Sequence, residues 1–261
     1  MNLKEKKIKG GAMIIGSLFW ETGSNCLKDA VELGKIRTKW RNENLVVSDA
    51  EQVKIPIRYG KISSTRKNTH TMVFSREYLD KRSYGLIVPF KEKFNFTAKG
   101  ILEIEVIKMA EAEGIYKSDG EWLARDWCAM AIWINPKSVY KNEVRKEWKL
   151  ILNKDNFCFR RKGGYQRNSR SSNDYSGSDG ILLNEDFELI DVPIKCDFDF
   201  LILTYTKPDL VYSNTEVIAK AIRKSHYSSY LLNNIKNRIV TLDDKEISKF
   251  LKQNEAKATR K

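Results

Sequence analysis

Apolar and polar positions along this chain change period several times, from continuous apolar runs to two-residue alternation to helical spacing, which predicts a mixed α and β architecture. Residues 12–20, Ala-Met-Ile-Ile-Gly-Ser-Leu-Phe-Trp, form an apolar run interrupted by Gly16-Ser17 and followed by Glu21, Thr22, Gly23 and Ser24. This predicts a buried strand that enters a tight turn. Residues 25–33 have helical character but are short, which predicts a helical turn, and residues 34–47 then bring Arg37, Trp40 and Arg41 close together. Residues 53–60, 69–75 and 84–90 predict three strands joined by polar links, one of them at 63–68, in an antiparallel meander. Residues 101–112 form the clearest helix, with Leu102, Ile104, Val106, Ile107, Met109 and Ala110 on a broad face and Gly114 as its stop. Residues 126–134 predict a strand buried on both faces, ended by Asn135-Pro136.

The character changes after Pro136. Residues 139–152 predict an amphipathic, basic helix. Residues 160–179 are a loop by composition, rich in glycine, serine and charge; a disordered insertion outweighs a phosphate-binding loop as its reading. Short strands are expected within 181–194 and a buried strand over 198–206, stopped by Lys207-Pro208. Ser213-Asn-Thr-Glu216 resembles a capping box that opens a helix through Ile222, and helices over 227–238 and 243–253 close the chain. The fold class expected is α+β, with a small mixed or antiparallel β-barrel, flanking helices and a C-terminal helical extension.

Composition narrows the function classes. With 47 Lys plus Arg against 34 Asp plus Glu, the net charge of +13 favours anionic small molecules or polyanions as partners, although it also serves solubility and lies partly at the chain ends. Nucleic-acid binding ranks behind an anionic small-molecule substrate or ligand. Cys26, Cys128, Cys158 and Cys196 are isolated and only His70 and His226 are present, so no zinc spacing exists and a reducing cytoplasmic setting is expected. The apolar stretch at the amino terminus is broken by Gly16-Ser17 and lacks a small-residue cleavage site, and no run reaches the roughly 20 apolar residues of a membrane span. No metal, organic cofactor or membrane partner is called for.

Two short motifs carry the candidate chemistry. Backbone N–H groups of a Gly16-Ser17-Leu18 turn can cradle a carboxylate or a developing oxyanion, while packing alone is the plainer role for Gly16. Glu113, before Gly114 at a helix exit, places a negative charge where the helix dipole disfavours it. Arg37, Arg41, Arg58 and Arg66 are candidates for pairing with an anionic group. Gly16-Ser17-Leu18-Phe19-Trp20 resembles the Tyr-Gly-Ser signature that opens the gamma-glutamylcyclotransferase-like superfamily, and Glu113-Gly114 resembles its catalytic Glu-Gly. Tyr227-Ser-Ser-Tyr230 resembles the tyrosine-containing helix late in many members. The match covers mainly residues 12–135, with Ile15 standing where the family usually has tyrosine.

The resemblance implies a chain divided into a basic tail at 1–11, a cyclotransferase-like domain at 12–240 with an insert at about 137–195, and a C-terminal helix and basic tail at 241–261. It implies release of 5-oxoproline from a gamma-glutamyl amine or peptide, with Glu113 as general acid/base, the Gly16-Ser17-Leu18 turn as anion cradle and no cofactor. The alternative is a binder without turnover on the same fold, holding a nucleotide or other anionic ligand, or a basic nucleic-acid or protein-interaction protein.

Overall fold

Strand β1 (Gly10–Ile14) is buried at every position, as its uninterrupted apolar composition requires. It is the middle of a five-stranded sheet. On one side it pairs antiparallel with β5 (Tyr84–Pro89), and on the other it runs parallel to β7 (Phe200–Thr206). Edge strands β2 (Glu51–Lys54) and β6 (Cys128–Ile134) complete the order β2-β5-β1-β7-β6. The computed structural model describes residues 8–23, 28–63, 66–94, 100–117, 120, 128–153, 183–184, 186–206, 208 and 214–258. The loop expected at 160–179 lies outside the described residues, as do residues 1–7 and 259–261 of the terminal tails, Cys26 and Cys158; the expected tail at 1–11 instead ends in β1, which takes in Gly10 and Gly11.

The expected meander is built differently. The stretch 53–60 is divided at Pro56, which has no N–H for a sheet ladder. Strand β2 ends before this proline, and β3 (Ile57–Ser63) begins after it and pairs with β4 (Thr69–Phe74) in a separate two-stranded antiparallel hairpin. Strand β5 leaves that hairpin to join β1 and β2. The architecture is α+β with a mixed sheet, and among the described residues the strands do not close into a ring. The hairpin instead packs on β7, where Phe74 stacks on Tyr205 with ring centroids 5.9 Å apart.

The helical turn expected at 25–33 is the start of a longer helix, α1 (Lys28–Asn44). Gly34 in its middle is required by contact rather than by helix propensity. A β-carbon there would lie 2.1 Å from the amide nitrogen of Gly23, so only glycine lets α1 lie against the chain that leaves the first turn. Helix α2 (Ile101–Glu113) buries Leu102, Val106, Met109 and Ala110 and packs on α1 and β7. It ends at Gly114, whose left-handed backbone (φ 73°) closes the last turn. Helix α3 (Lys141–Leu152) buries Val144, Trp148 and Ile151 against α2 and β6.

In place of named strands, the region 181–194 forms isolated bridges, Ile132 with Glu188 and Leu183 with Leu189. Helix α4 (Thr215–Ser225) is capped by Asn214, whose side chain accepts from the Val217 N–H at 2.9 Å. The capping position thus falls one residue later than the sequence pattern places it. Helices α5 (Ser229–Lys236) and α6 (Asp244–Ala258) complete the order, and α6 packs on α4 with Ile247 fully buried. No helix among the described residues is long and apolar enough to cross a membrane.

Candidate active site

Strands β1 and β7 run in parallel, and both finish at one cavity of about 870 Å³. The carboxyl ends of adjacent parallel strands leave backbone groups without a ladder and often form binding crevices. From β1 and the turn after it the cavity receives Met13, Ile14, Ile15, Gly16, Ser17 and Leu18; from β7 it receives Thr204 and Thr206. Glu113 and Gly114 enter from the end of α2, Leu33, Ile36 and Arg37 from one face of α1, Arg66 from the hairpin and Tyr230 from α5.

Immediately after β1 the chain makes a single 3-10 turn over Ser17–Phe19. Trp20 and Glu21 donate their N–H groups to the Ser17 carbonyl at 3.1 and 2.8 Å, while the amides that open the turn have no acceptor within it. Gly16 is extended here, so its role is space: a β-carbon would stand 2.7 Å from the Tyr230 hydroxyl. That hydroxyl accepts from the Met72 N–H at 3.2 Å and ties α5 to the hairpin. Trp20 packs edge-on against the Tyr230 ring and donates its indole N–H to Asn234 at 2.6 Å.

Arginine side chains organise the rest. Arg37 is buried and donates through Nε to the Ala112 carbonyl at 3.0 Å, through Nη2 to Glu113 Oε2 at 3.1 Å, and through Nη1 to the Glu21 carboxylate and to Ser17 Oγ, the latter at 3.3 Å. One side chain therefore joins the turn to the end of α2. Arg66 donates to Ser17 Oγ at 2.5 Å and to Glu21 at 3.1 Å, with its guanidinium 5.4 Å from the centre of the Tyr230 ring. Burial pulls the Arg66 pKa down, but Glu21, with Tyr230, Tyr227 and Glu113, more than offsets it, and the group is held above its ordinary value. For Tyr230, burial raises the phenol above its usual range against the opposing charge of Arg66.

Arg41, one turn along α1 from Arg37, supports the turn from behind. It donates to the Leu18 carbonyl at 2.7 Å, the Glu21 carbonyl at 3.1 Å and Thr38 Oγ1 at 3.1 Å, and does not line the cavity. Burial, together with the neighbouring Arg37 charge, lowers its pKa to about 10, and Glu21 acts in the opposite direction. Arg58 lies apart from all of these. It is buried, donates to the Tyr59 carbonyl at 2.8 Å and is not a cavity residue.

Of the residues singled out by sequence, Gly16, Ser17, Leu18, Arg37, Arg66 and Glu113 come together at the cavity, Arg41 stands behind it and Arg58 is elsewhere. Glu21 escaped that reading because it looks like a breaker between an apolar turn and a glycine. Its side chain is only 6% exposed and serves as counter-ion to both Arg37 and Arg66. The available signal was a lone acid four residues after Ser17 in otherwise apolar surroundings. Glu113 is the more accessible carboxylate, at 15% exposure, and among the described residues only its Oε2 has a hydrogen-bond partner.

A site of this kind can hold an anionic group at the turn and exchange a proton at Glu113 Oε1. Among the described residues no group of three or more metal-ligating side chains clusters. Comparison of the chain with protein-family models, with curated proteins and with solved structures found no match to any of them.

Proposed function

We propose that the cavity is the active site of a gamma-glutamylcyclotransferase-like enzyme, with Glu113 as general acid/base. One observation carries this reading: the Gly16-Ser17-Leu18 turn and Glu113, distant in sequence, line the same cavity and are joined by Arg37, which reaches Ser17 Oγ at 3.3 Å and Glu113 at 3.1 Å. The α-carboxylate of a gamma-glutamyl group binds the turn amides. Glu113 takes a proton from the α-ammonium, the freed amine attacks the gamma-carbonyl carbon to close a five-membered lactam, and the scissile C–N bond breaks as Glu113 returns that proton to the leaving nitrogen; the second proton, shed by the ring nitrogen after attack, passes through Glu113 to the departing amine, which leaves as an ammonium. The products are 5-oxoproline and an amine, with no water or electrons consumed. The hairpin packs on β7 and brings Arg66 to the site, and the isolated cysteines fit a reducing cytoplasmic setting.

Replacing Glu113 by glutamine keeps the side-chain shape and removes the exchangeable charge. Arg37 retains Glu21, so the fold is expected to survive while 5-oxoproline release falls by at least about 100-fold, the range for loss of a general acid/base. Chromatographic detection of 5-oxoproline from gamma-glutamyl amines, alongside the circular dichroism of both proteins, tests this. An E113Q protein as active as the wild type rules the assignment out. A second reading, binding without turnover, draws on the two arginines at the turn; it requires that E113Q leave ligand affinity largely unchanged and that no wild-type turnover occur.

A further inference from the structure

We infer that the amine released by this site is apolar, and that its alkyl or aryl chain lies on Leu33 and Ile36 of α1. The inference rests on the cyclotransferase reading. Glu113 has to reach the leaving nitrogen, so whatever that nitrogen carries lies beside the end of α2. There the neighbouring surface is Leu33: a β-carbon on Gly114 would stand 3.3 and 3.4 Å from its two terminal methyl carbons. Leu33, Ile36 and Arg37 fall at helical spacing on one face of α1, and all three line the cavity. Leu33 and Ile36 are only half-buried, so apolar surface is left open next to the proton carrier.

Charge points the same way. Arg37 and Arg66 are engaged with Glu21, and Glu32, the residue before Leu33, brings a carboxylate to that wall. Glu32 pairs with Lys35 at 3.1 Å, and Arg37 and Arg66 pair with Glu21, so the cations on this side are already matched by carboxylates and offer an anionic leaving group, such as a peptide with a free carboxylate, no new counter-ion. The cavity, about 870 Å³, also lies towards the upper end of the roughly 300–1,000 Å³ range of ligand pockets, well beyond what a gamma-glutamyl group fills. Ile15, Ile62 and Met72 add further apolar lining, with Ile62 49% exposed.

The test is a series of gamma-glutamyl n-alkylamides from methyl to hexyl, compared with gamma-glutamylglycine, with 5-oxoproline release measured for each. The expected result is a kcat/KM that rises about three- to fourfold per methylene, as burial of apolar surface predicts, and exceeds that for gamma-glutamylglycine at the longer members. Leu33→Ser should flatten the rise, and Leu33→Lys should move the preference towards gamma-glutamylglycine by about tenfold; Ile36→Ser provides an independent variant on the same wall. A flat wild-type series, or a preference for gamma-glutamylglycine over every alkylamide, overturns the apolar-amine inference while leaving cyclotransferase activity standing. Absence of 5-oxoproline from every compound overturns both.

Discussion

Removing the Glu21 carboxylate leaves Arg37 and Arg66 buried with like charges and no shared counter-ion. Breaking a buried pair in this way costs about 3–5 kcal/mol, since Arg66 loses its carboxylate partner without gaining water, while Arg37 keeps Glu113. Glu21→Ala is therefore expected to lower unfolding free energy by about that amount in urea titration. Glu113→Gln should change it by about 1 kcal/mol or less, because Arg37 keeps its other partners. The contrast separates two acids that share one arginine: Glu21 holds the site together, and Glu113 is the proposed general acid/base. Equal destabilisation by the two variants would contradict this division.

Helix α1 turns on a position where the usual substitution rule reverses. In an exposed helix, glycine to alanine stabilises by about 1 kcal/mol. At Gly34 the added carbon would lie 2.1 and 2.4 Å from Gly23 backbone atoms, so α1 would have to move away from the segment just after the turn. Gly34→Ala is expected to destabilise by about 1–3 kcal/mol and to displace Arg37 and Arg41 from the turn, with loss of activity, measured by thermal melting and 5-oxoproline assay. The same helix shows why sequence reading stopped short. Its buried face includes Arg37, Arg41 and Asn44, which a hydrophobic-period argument assigns to solvent, so of its 17 residues only those up to Leu33 are expected as a helical turn and no element is assigned beyond. By contrast, β1, α2 and β7 bury ordinary apolar residues, and their existence was legible. Strand pairing was not, because a period of two says which face is buried but nothing about which strand lies alongside.

At the scale of the whole molecule, folding is linked to protons through the start of α6. Asp244 accepts from the Thr241 N–H and hydroxyl, both at 2.9 Å, yet burial pushes its pKa up to about 6. A carboxyl raised on folding favours the protonated native state. Its contribution is full below the unfolded value near 4 and is lost as pH rises through about 6, amounting to about 3 kcal/mol for a two-unit shift. Stability measured from pH 4 to pH 7 should therefore fall with a slope that Asp244→Asn reduces, and an unchanged slope would refute the linkage. The overall arrangement of the candidate site was more legible than the sheet around it. The turn and the Glu-Gly lie at chemically marked positions, a strand end and a helix end. The acid between the arginines became visible only when the hairpin and α1 were folded against each other.

Arg37 touches both the turn and the proton carrier, and this has a consequence for charge during the proposed reaction. With all groups ionised, Arg37, Arg66, Glu21 and Glu113 cancel. Once Glu113 takes up the proton, the same four side chains carry one net positive charge, at the stage when the attacked carbonyl oxygen becomes negative. The site thereby generates its own counter-ion within the chemical step, without recruiting an ion from solvent.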